Sequence, residues 1–115
     1  MLTSIQDVLK TVRPNQRCIT AAQAKTELLN NHRLPIDVRE PSEHQQKSIT
    51  NTLNIPRGLL EFKLPEIEKD AERPIYLHCA AGGRAIFAAE QLTRIGYQDI
   101  SVITCKFDDV YTTFS

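Results

Sequence analysis

Residues 74–92 read PIYLHCAAGGRAIFAAEQL and contain a complete strand, loop and helix. The apolar run that ends at Cys79 is typical of a buried strand. Two alanines, two glycines and an arginine follow, and such small residues predict a tight connection. Apolar side chains then recur at Ala85, Ala88, Ala89 and Leu92, which predicts a helix over 84–95 that ends before Gly96.

Similar short elements surround this unit. Residues Ile5, Val8, Leu9 and Val12 recur at helical spacing after Ser4 and before Pro14. The remaining pattern predicts strands over 17–20, 34–38, 52–56 and 100–104, a helix from Thr20 to about Asn30, and short helical turns near 41–45 and 57–62. Strands that alternate with helices indicate an α/β domain around a mostly parallel sheet. We divide the chain into a helical appendage over 1–16 and one domain over 17–115.

Composition excludes several classes of protein. The 14 basic and 14 acidic residues balance, and basic residues do not cluster with aromatic ones, so neither nucleic acid nor a membrane surface is an expected partner. The N-terminus lacks the pattern of a secretory signal. The three cysteines are widely and irregularly spaced, which fits neither a disulfide framework nor a C-x-x-C metal or redox site. We therefore expect a cytoplasmic protein without a metal or cofactor.

The loop after the predicted strand is the candidate site. Its glycines can adopt positive φ, so that successive N–H groups point into one concavity and form an anion-binding nest. The following helix adds unpaired N–H donors and a positive dipole end. A thiol in such a cradle is favoured as the thiolate, which makes Cys79 the expected nucleophile. The expected substrate-binding residues are Ala80, Ala81, Gly82, Gly83, Arg84 and Ala85.

Arg84 and the length of the loop limit the reactions that Cys79 is expected to carry out. Arg84 in a first helical turn opposes the helix dipole and therefore suggests a partner, either a substrate anion or one of Asp37, Glu40 and Glu43. Cysteine-dependent phosphatases use a C-x5-R loop, whereas this chain has the shorter C-x4-R. Because the shorter loop encloses a smaller space, it is better suited to bind the single outer sulfur of a cysteine persulfide than a phosphoryl group.

Three segments together resemble the single-domain rhodaneses, the thiosulfate sulfurtransferases. They are PIDVREPSEH (35–44), LNIPRGLLEF (53–62) and LHCAAGGRAIFAAEQLTRIGY (77–97), and the resemblance spans about residues 18–107. It implies a five-stranded parallel sheet flanked by helices on both faces. It also implies that Cys79 takes a sulfane sulfur from thiosulfate or a persulfide and passes it to a thiol, to cyanide or to a sulfur-accepting protein.

The chain departs from the family pattern at several positions. KSITNT (47–52) replaces the usual G-H-I-x-G-A, and His44 stands where an aromatic residue is usual. Near the C-terminus, Cys105 and Lys106 replace two glycines and Val110 replaces a tryptophan. Cys105 is interpreted either as a partly buried strand-end thiol or as a partner that resolves a Cys79 persulfide.

Three residues near the predicted strand ends, Asp37, Arg39 and His78, are expected to have structural roles. Asp37 and Arg39 are expected to form a structural ion pair that braces the end of the sheet. By strand alternation His78 faces away from Cys79 and is expected to pack in the core.

Two alternatives to the sulfurtransferase function stay open. One is a sulfur carrier or binding module that docks through residues 1–16, and the other is a small cysteine-dependent phosphatase or arsenate reductase.

Overall fold

The computed structural model describes residues 1–30 and 32–115. The strands are β1 (Arg17–Ile19), β2 (Leu34–Asp37), β3 (Leu53–Asn54), β4 (Ile75–His78) and β5 (Ile100–Ile103). The helices are α1 (Ile5–Val12), α2 (Ala21–Glu27), α3 (Pro41–Gln46), α4 (Leu60–Ile67), α5 (Gly83–Arg94) and α6 (Phe107–Phe114), with a 3₁₀ turn over Arg13–Asn15. Within these residues no helix is both long and apolar enough to cross a membrane.

The five strands form one parallel sheet in the order β1-β5-β4-β2-β3. The central strand β4 pairs with β2 on one side and with β5 on the other. All four residues of β4 are buried, as its apolar run predicts for a strand covered on both faces. Because the strands are parallel, their carboxyl ends meet at one edge of the sheet, and the loop after β4 lies at that edge.

Helices cover both faces of the sheet, which confirms the predicted architecture. On one face a core cluster joins side chains of α1, α4 and α5 to the sheet and includes Leu60, Leu77 and Ala88. On the other face a second cluster joins α2 and α6 to the sheet and includes Ala24, Tyr76 and Val110. Alternation along β4 separates the two clusters, because neighbouring side chains point to opposite faces.

Local signals explain the helix ends. The Ser4 and Thr20 hydroxyls accept the N–H groups of Asp7 and Gln23, both at 3.1 Å, and so cap α1 and α2. Gly96 follows α5 with φ of 113°, the left-handed conformation that favours glycine at this position.

Two predicted helix bounds differ from the structure. The helix expected to reach about Asn30 ends at Glu27. The turn expected near 57–62 is instead an eight-residue helix, α4, which includes Pro65. Pro65 is the sixth of these eight residues, so its missing N–H removes the intrahelical bond that would otherwise run to the Glu61 carbonyl.

Helix α1 lies against the N-terminal half of α5. Its inner side chains Val8, Leu9 and Val12 pack on the core cluster that includes α5. Val12 is buried, whereas Ile5, which shares the predicted apolar stripe, is 62% exposed. The contact with α5 therefore depends on the C-terminal part of α1 and brings that part close to the loop after β4.

Candidate active site

Cys79 follows β4 directly and lies at the bottom of the predicted loop. Its side chain is buried, with 1% relative exposure. The Sγ atom accepts the N–H of Gly82 at 3.1 Å and the N–H of Ala85 at 3.4 Å. Backbone N–H donors favour a negative charge on the atom that accepts them, so this arrangement suits a thiolate or a bound persulfide.

Gly82 gives the loop its shape. Its φ of 97° is in the left-handed region, and it directly precedes the first residue of α5. A Cβ atom at this position would also lie 3.4 Å from both the Cα and the carbonyl oxygen of Thr104. The left-handed backbone conformation therefore favours glycine here, and an added Cβ would make a van der Waals contact with the segment after β5.

Two further contacts hold the loop from outside, and sequence reasoning missed both. The Phe107 N–H, at the start of α6, donates to the Ala80 carbonyl oxygen at 2.8 Å. On the other side, a Cβ at Gly83 would lie 3.6 Å from Leu9 Cδ1 of α1. The C-terminal and N-terminal helices thus both reach the loop, and no local sequence pattern predicts either contact.

Arg84 forms an ion pair with Glu43 of α3. Its Nη1 donates to Oε1 at 2.7 Å and its Nη2 donates to Oε2 at 3.1 Å. Glu43 also accepts the N–H of Glu40 at 3.0 Å, which closes the capping box of α3. The Arg84 hydrogen bonds hold the pKa of Glu43 at about 2, well below its usual 4.5. Of the three carboxylates considered as partners, Glu43 is the one that pairs with Arg84.

A buried polar cluster lies where β2 ends. Asp37 accepts hydrogen bonds from Arg39 Nε at 3.0 Å and Arg39 Nη2 at 2.9 Å, and His44 Nδ1 lies 2.9 Å from its Oδ2. Asn54 Nδ2 donates to the backbone carbonyls of Asp37 and Arg39, both at 3.0 Å. Burial alone raises the pKa of Asp37, but the bonds from Arg39 and His44 outweigh it and hold that pKa below 3.8. The cluster fixes the backbone next to β4.

His78 lies on the face of the sheet opposite Cys79. Its ring stacks on Phe107 with centroids 6.1 Å apart, and burial lowers its pKa to about 4. Its Nε2 is buried without a hydrogen-bond partner among the described residues, and Asp37 Oδ1 is 3.8 Å away, too far for a hydrogen bond. A separate cavity of about 420 Å³ borders His78 on this face, away from the cysteine loop.

The other two cysteines are free thiols. Cys105 packs beside the cluster of α2 and α6, and its Sγ accepts the N–H of Ala21 at 3.3 Å. Cys79 belongs to the cluster on the other face. Cys18 is half-buried against that same cluster. The structure therefore places Cys105 and Cys79 on different faces of the sheet.

Comparison with known proteins agrees with this geometry. The model of the rhodanese-like domain family matches residues 20–112. A protein of Schizosaccharomyces pombe named a putative mitochondrial thiosulfate sulfurtransferase is 34% identical, over 60% of this chain and 56% of that protein. The chain spans about half the length of the curated relatives that it matches.

Solved structures with similar folds include a rhodanese-related protein. A rhodanese-related protein of Thermoplasma volcanium is 31% identical, with a TM-score of 0.68 over 82% of this chain and 89% of that one. A Rhodopseudomonas palustris protein of unknown function, described as a possible tyrosine phosphatase, has a TM-score of 0.82 over 96% of this chain and 90% of that one. At 21% identity this second likeness concerns the fold alone.

Proposed function

Because the chain belongs to the rhodanese-like domain family, we propose that it is a sulfurtransferase in which Cys79 carries a sulfane sulfur as a persulfide. The observation that supports this proposal most directly is the pair of N–H groups, from Gly82 and Ala85, that point at Cys79 Sγ. Donors fixed in this way stabilise a thiolate before the reaction and a persulfide anion after it, without any reorganisation of solvent.

The proposed reaction has two halves. In the first, the Cys79 thiolate attacks the outer sulfur of thiosulfate, so that a new S–S bond forms at Sγ. The S–S bond of thiosulfate breaks, and sulfite leaves with its electron pair. In the second, a thiolate or cyanide attacks the outer sulfur of the persulfide, and the Cys79 thiolate is regenerated. Neither half requires a metal or an organic cofactor.

The charges at the loop also fit sulfur transfer. Arg84 is already paired with Glu43 through both terminal nitrogens, so its charge is largely neutralised. In a phosphatase the loop arginine must hold the phosphoryl oxygens, for which a bidentate guanidinium is the preferred partner. A persulfide needs only the backbone donors. The paired arginine and the six-residue loop therefore favour the sulfurtransferase.

We propose thiosulfate or a small persulfide as donor, and a thiol, cyanide or a sulfur-accepting protein as acceptor. The substrate-binding residues proposed are the backbone groups of 80–85, with Asp37 and Arg39 as structural support. A cytoplasmic location also stays a prediction, because the S. pombe relative is named as mitochondrial. Residues 1–16 are proposed as an appendage to the domain over 17–115.

Mass spectrometry of the intact protein tests the proposal. After incubation with thiosulfate, the protein should gain one sulfur atom and lose it again on addition of cyanide. The Cys79→Ser variant should gain none, whereas Cys18→Ser and Cys105→Ser should behave like the unchanged protein. If Cys79→Ser gained the sulfur equally, the proposed nucleophile would be wrong.

This experiment and an assay with an aryl phosphate together separate the alternative functions. A persulfide that forms on Cys79 but is not turned over with cyanide or any small thiol would indicate a sulfur carrier. Hydrolysis of an aryl phosphate that is lost in Cys79→Ser would indicate a phosphatase instead. Absence of both reactions would indicate a binding module.

A further inference from the structure

A cavity of about 400 Å³ separates α1 from the cysteine loop. On one side it is lined by Ala81 and Gly83, and on the other by Gln6, Lys10 and Arg13 of α1 and the turn that follows it. Ala81 is the exposed residue of the loop. A small molecule that approaches the loop from this side therefore passes the polar side of α1.

We propose that Lys10 and Arg13 form a cationic subsite that attracts anionic substrates to Cys79. The proposal rests on the proposed function, and it names the substrate class as a small anion: an inorganic sulfur oxyanion or a carboxylate-bearing thiol or persulfide. Thiosulfate and sulfite carry this charge, as does any thiol with free carboxylates.

The geometry of α1 places Lys10 and Arg13 on the same side of the helical segment. Gln6, Lys10 and Arg13 are spaced at i, i+4 and i+7, so they lie along one side of the helical segment. The apolar residues Leu9 and Val12 hold α1 against the core, with Leu9 next to Gly83. Packing thus fixes the backbone that bears the two cations, and both of their side chains are exposed.

The positive charges of Lys10 and Arg13 are largely unpaired. Among residues 1–30 and 32–115, no acidic residue lines this cavity. Arg13 forms no ion pair within the described part of the chain, and Lys10 has only an exposed contact with Asp7 at 3.9 Å. Exposed pairs of this kind contribute little and leave most of the field of the cation intact.

The charge of the loop arginine is already paired. Glu43 neutralises Arg84, as its bidentate contact shows. Among the described residues, the side-chain cations that line the cavity beside the loop are Lys10 and Arg13. Both lie outside residues 20–112, which the family model matches.

Alkylation of Cys79 tests the subsite without any sulfur transfer. The protein in which Cys18 and Cys105 are changed to Ser is treated with iodoacetate, an anion, or iodoacetamide, its neutral analogue. The Lys10→Gln/Arg13→Gln variant should lower the iodoacetate rate about threefold to fivefold at low salt, because two nearby exposed cations are removed. The iodoacetamide rate should stay unchanged. Salt near 1 M should abolish the difference, since the screening length is then about 3 Å.

A matched control carries the same charge change elsewhere. Lys69→Gln/Arg94→Gln also removes two exposed cations, and Arg94 ends the twelve-residue helix α5 that begins at Gly83. At 1.5 Å per residue Arg94 lies about 16 Å from Gly83, beyond the screening length of about 10 Å at 0.1 M salt. This variant should keep the ratio of the two alkylation rates. An equal loss in both variants, or none in either, would overturn the subsite.

Steady-state kinetics then connect the subsite to the proposed reaction. With thiosulfate as donor, Lys10→Gln/Arg13→Gln should raise KM severalfold and leave kcat nearly unchanged, as removal of a long-range attraction does. A protein that forms no persulfide but still shows the difference between iodoacetate and iodoacetamide would contradict the proposed function and leave the subsite intact. The two failures are therefore distinguishable.

Discussion

The Arg84 guanidinium binds the Glu43 carboxylate with both of its terminal nitrogens, at 2.7 and 3.1 Å. This contact joins two short elements that follow different strands: Glu43 belongs to α3, after β2, and Arg84 to the first turn of α5, after β4. A bidentate pair fixes orientation as well as distance. Helix α3 is thereby tied to the cysteine loop, and the arginine that opposes the dipole of α5 gains a partner.

Replacing Glu43 with Gln should loosen this link. The pair is about one-third exposed, so we expect the unfolding free energy to fall by only about 1 kcal/mol at pH 7. The pKa of Glu43 is about 2 in the folded protein and 4.5 without the contact, so the carboxylate contributes fully above pH 4.5. That contribution is lost as the pH falls toward 2.

Urea denaturation at several pH values tests the predicted contribution of the Glu43 carboxylate to stability. The difference in stability between the unchanged protein and Glu43→Gln should be constant from pH 7 to 5 and should shrink below pH 4.5. Glu66→Gln, an exposed change on α4, serves as the control and should give no such difference. A difference that grew on acidification would contradict the prediction.

Gly82→Ala should damage the loop, because an alanine at φ of 97° is strained. The strain alone costs about 1–2 kcal/mol. Displacement of the Gly82 N–H from Cys79 Sγ should also slow the formation of persulfide at least tenfold, as loss of one preorganised donor does. Single-turnover reaction with thiosulfate measures this rate.

Gly96→Ala is the matched control for Gly82→Ala. Gly96 also has a positive φ, of 113°, but a Cβ there would have no non-neighbouring atom of the described chain within 4 Å, and the residue lies just beyond the C-terminal end of α5. The two variants should lose similar stability, and Gly82→Ala alone should lose reactivity. Equal rates of persulfide formation in both variants would show that the Gly82 donor is not needed.

Local pattern made much of this fold predictable. The apolar run before Cys79, the glycines of the loop and the helical repeat after Arg84 define a strand, a turn and a helix without any tertiary information. The parallel sheet followed from the alternation of such units. The strongest predictions therefore concern residues whose neighbours in the chain determine their conformation.

Contacts between distant segments were not predictable in the same way. A substrate anion or any of three carboxylates could have paired with Arg84, and the choice of Glu43 depends on where α3 lies after β2. The hydrogen bond from the Phe107 N–H to Ala80 depends on β5 lying next to β4. Strand order and helix placement decide both contacts, and neither leaves a periodic signal in the sequence.

Asp37→Asn should be among the most destabilising single changes in the chain. The Arg39 side chain is 6% exposed and that of Asp37 is fully buried, so loss of the carboxylate leaves a buried cation without its counter-ion. Such a loss costs about 3–5 kcal/mol. Glu61→Gln breaks the more exposed Arg57–Glu61 pair and should cost less than about 1 kcal/mol. Urea denaturation at pH 7 compares them, and equal losses would argue against a structural role for the buried pair.

His78 should make the protein sensitive to mild acid. Burial lowers its pKa to about 4 in the folded state, whereas the unfolded chain binds the proton near pH 6.5. The unfolded state therefore binds more protons between these values, and stability falls as the pH drops from about 6.5 to 4. A shift of this size corresponds to roughly 3 kcal/mol once the pH is below both values.

His78→Phe should remove this sensitivity. The new ring can keep the contact with Phe107 and lacks the Nε2 atom that is buried without a partner. Unfolding free energies measured from pH 7 to 4 should fall less steeply for His78→Phe than for the unchanged protein. His32→Phe, at an exposed residue outside the helices and strands, is the control and should keep the original slope. If His78→Phe kept that slope as well, the acid sensitivity would have to come from the carboxylates, because the buried imidazole would then contribute none of it.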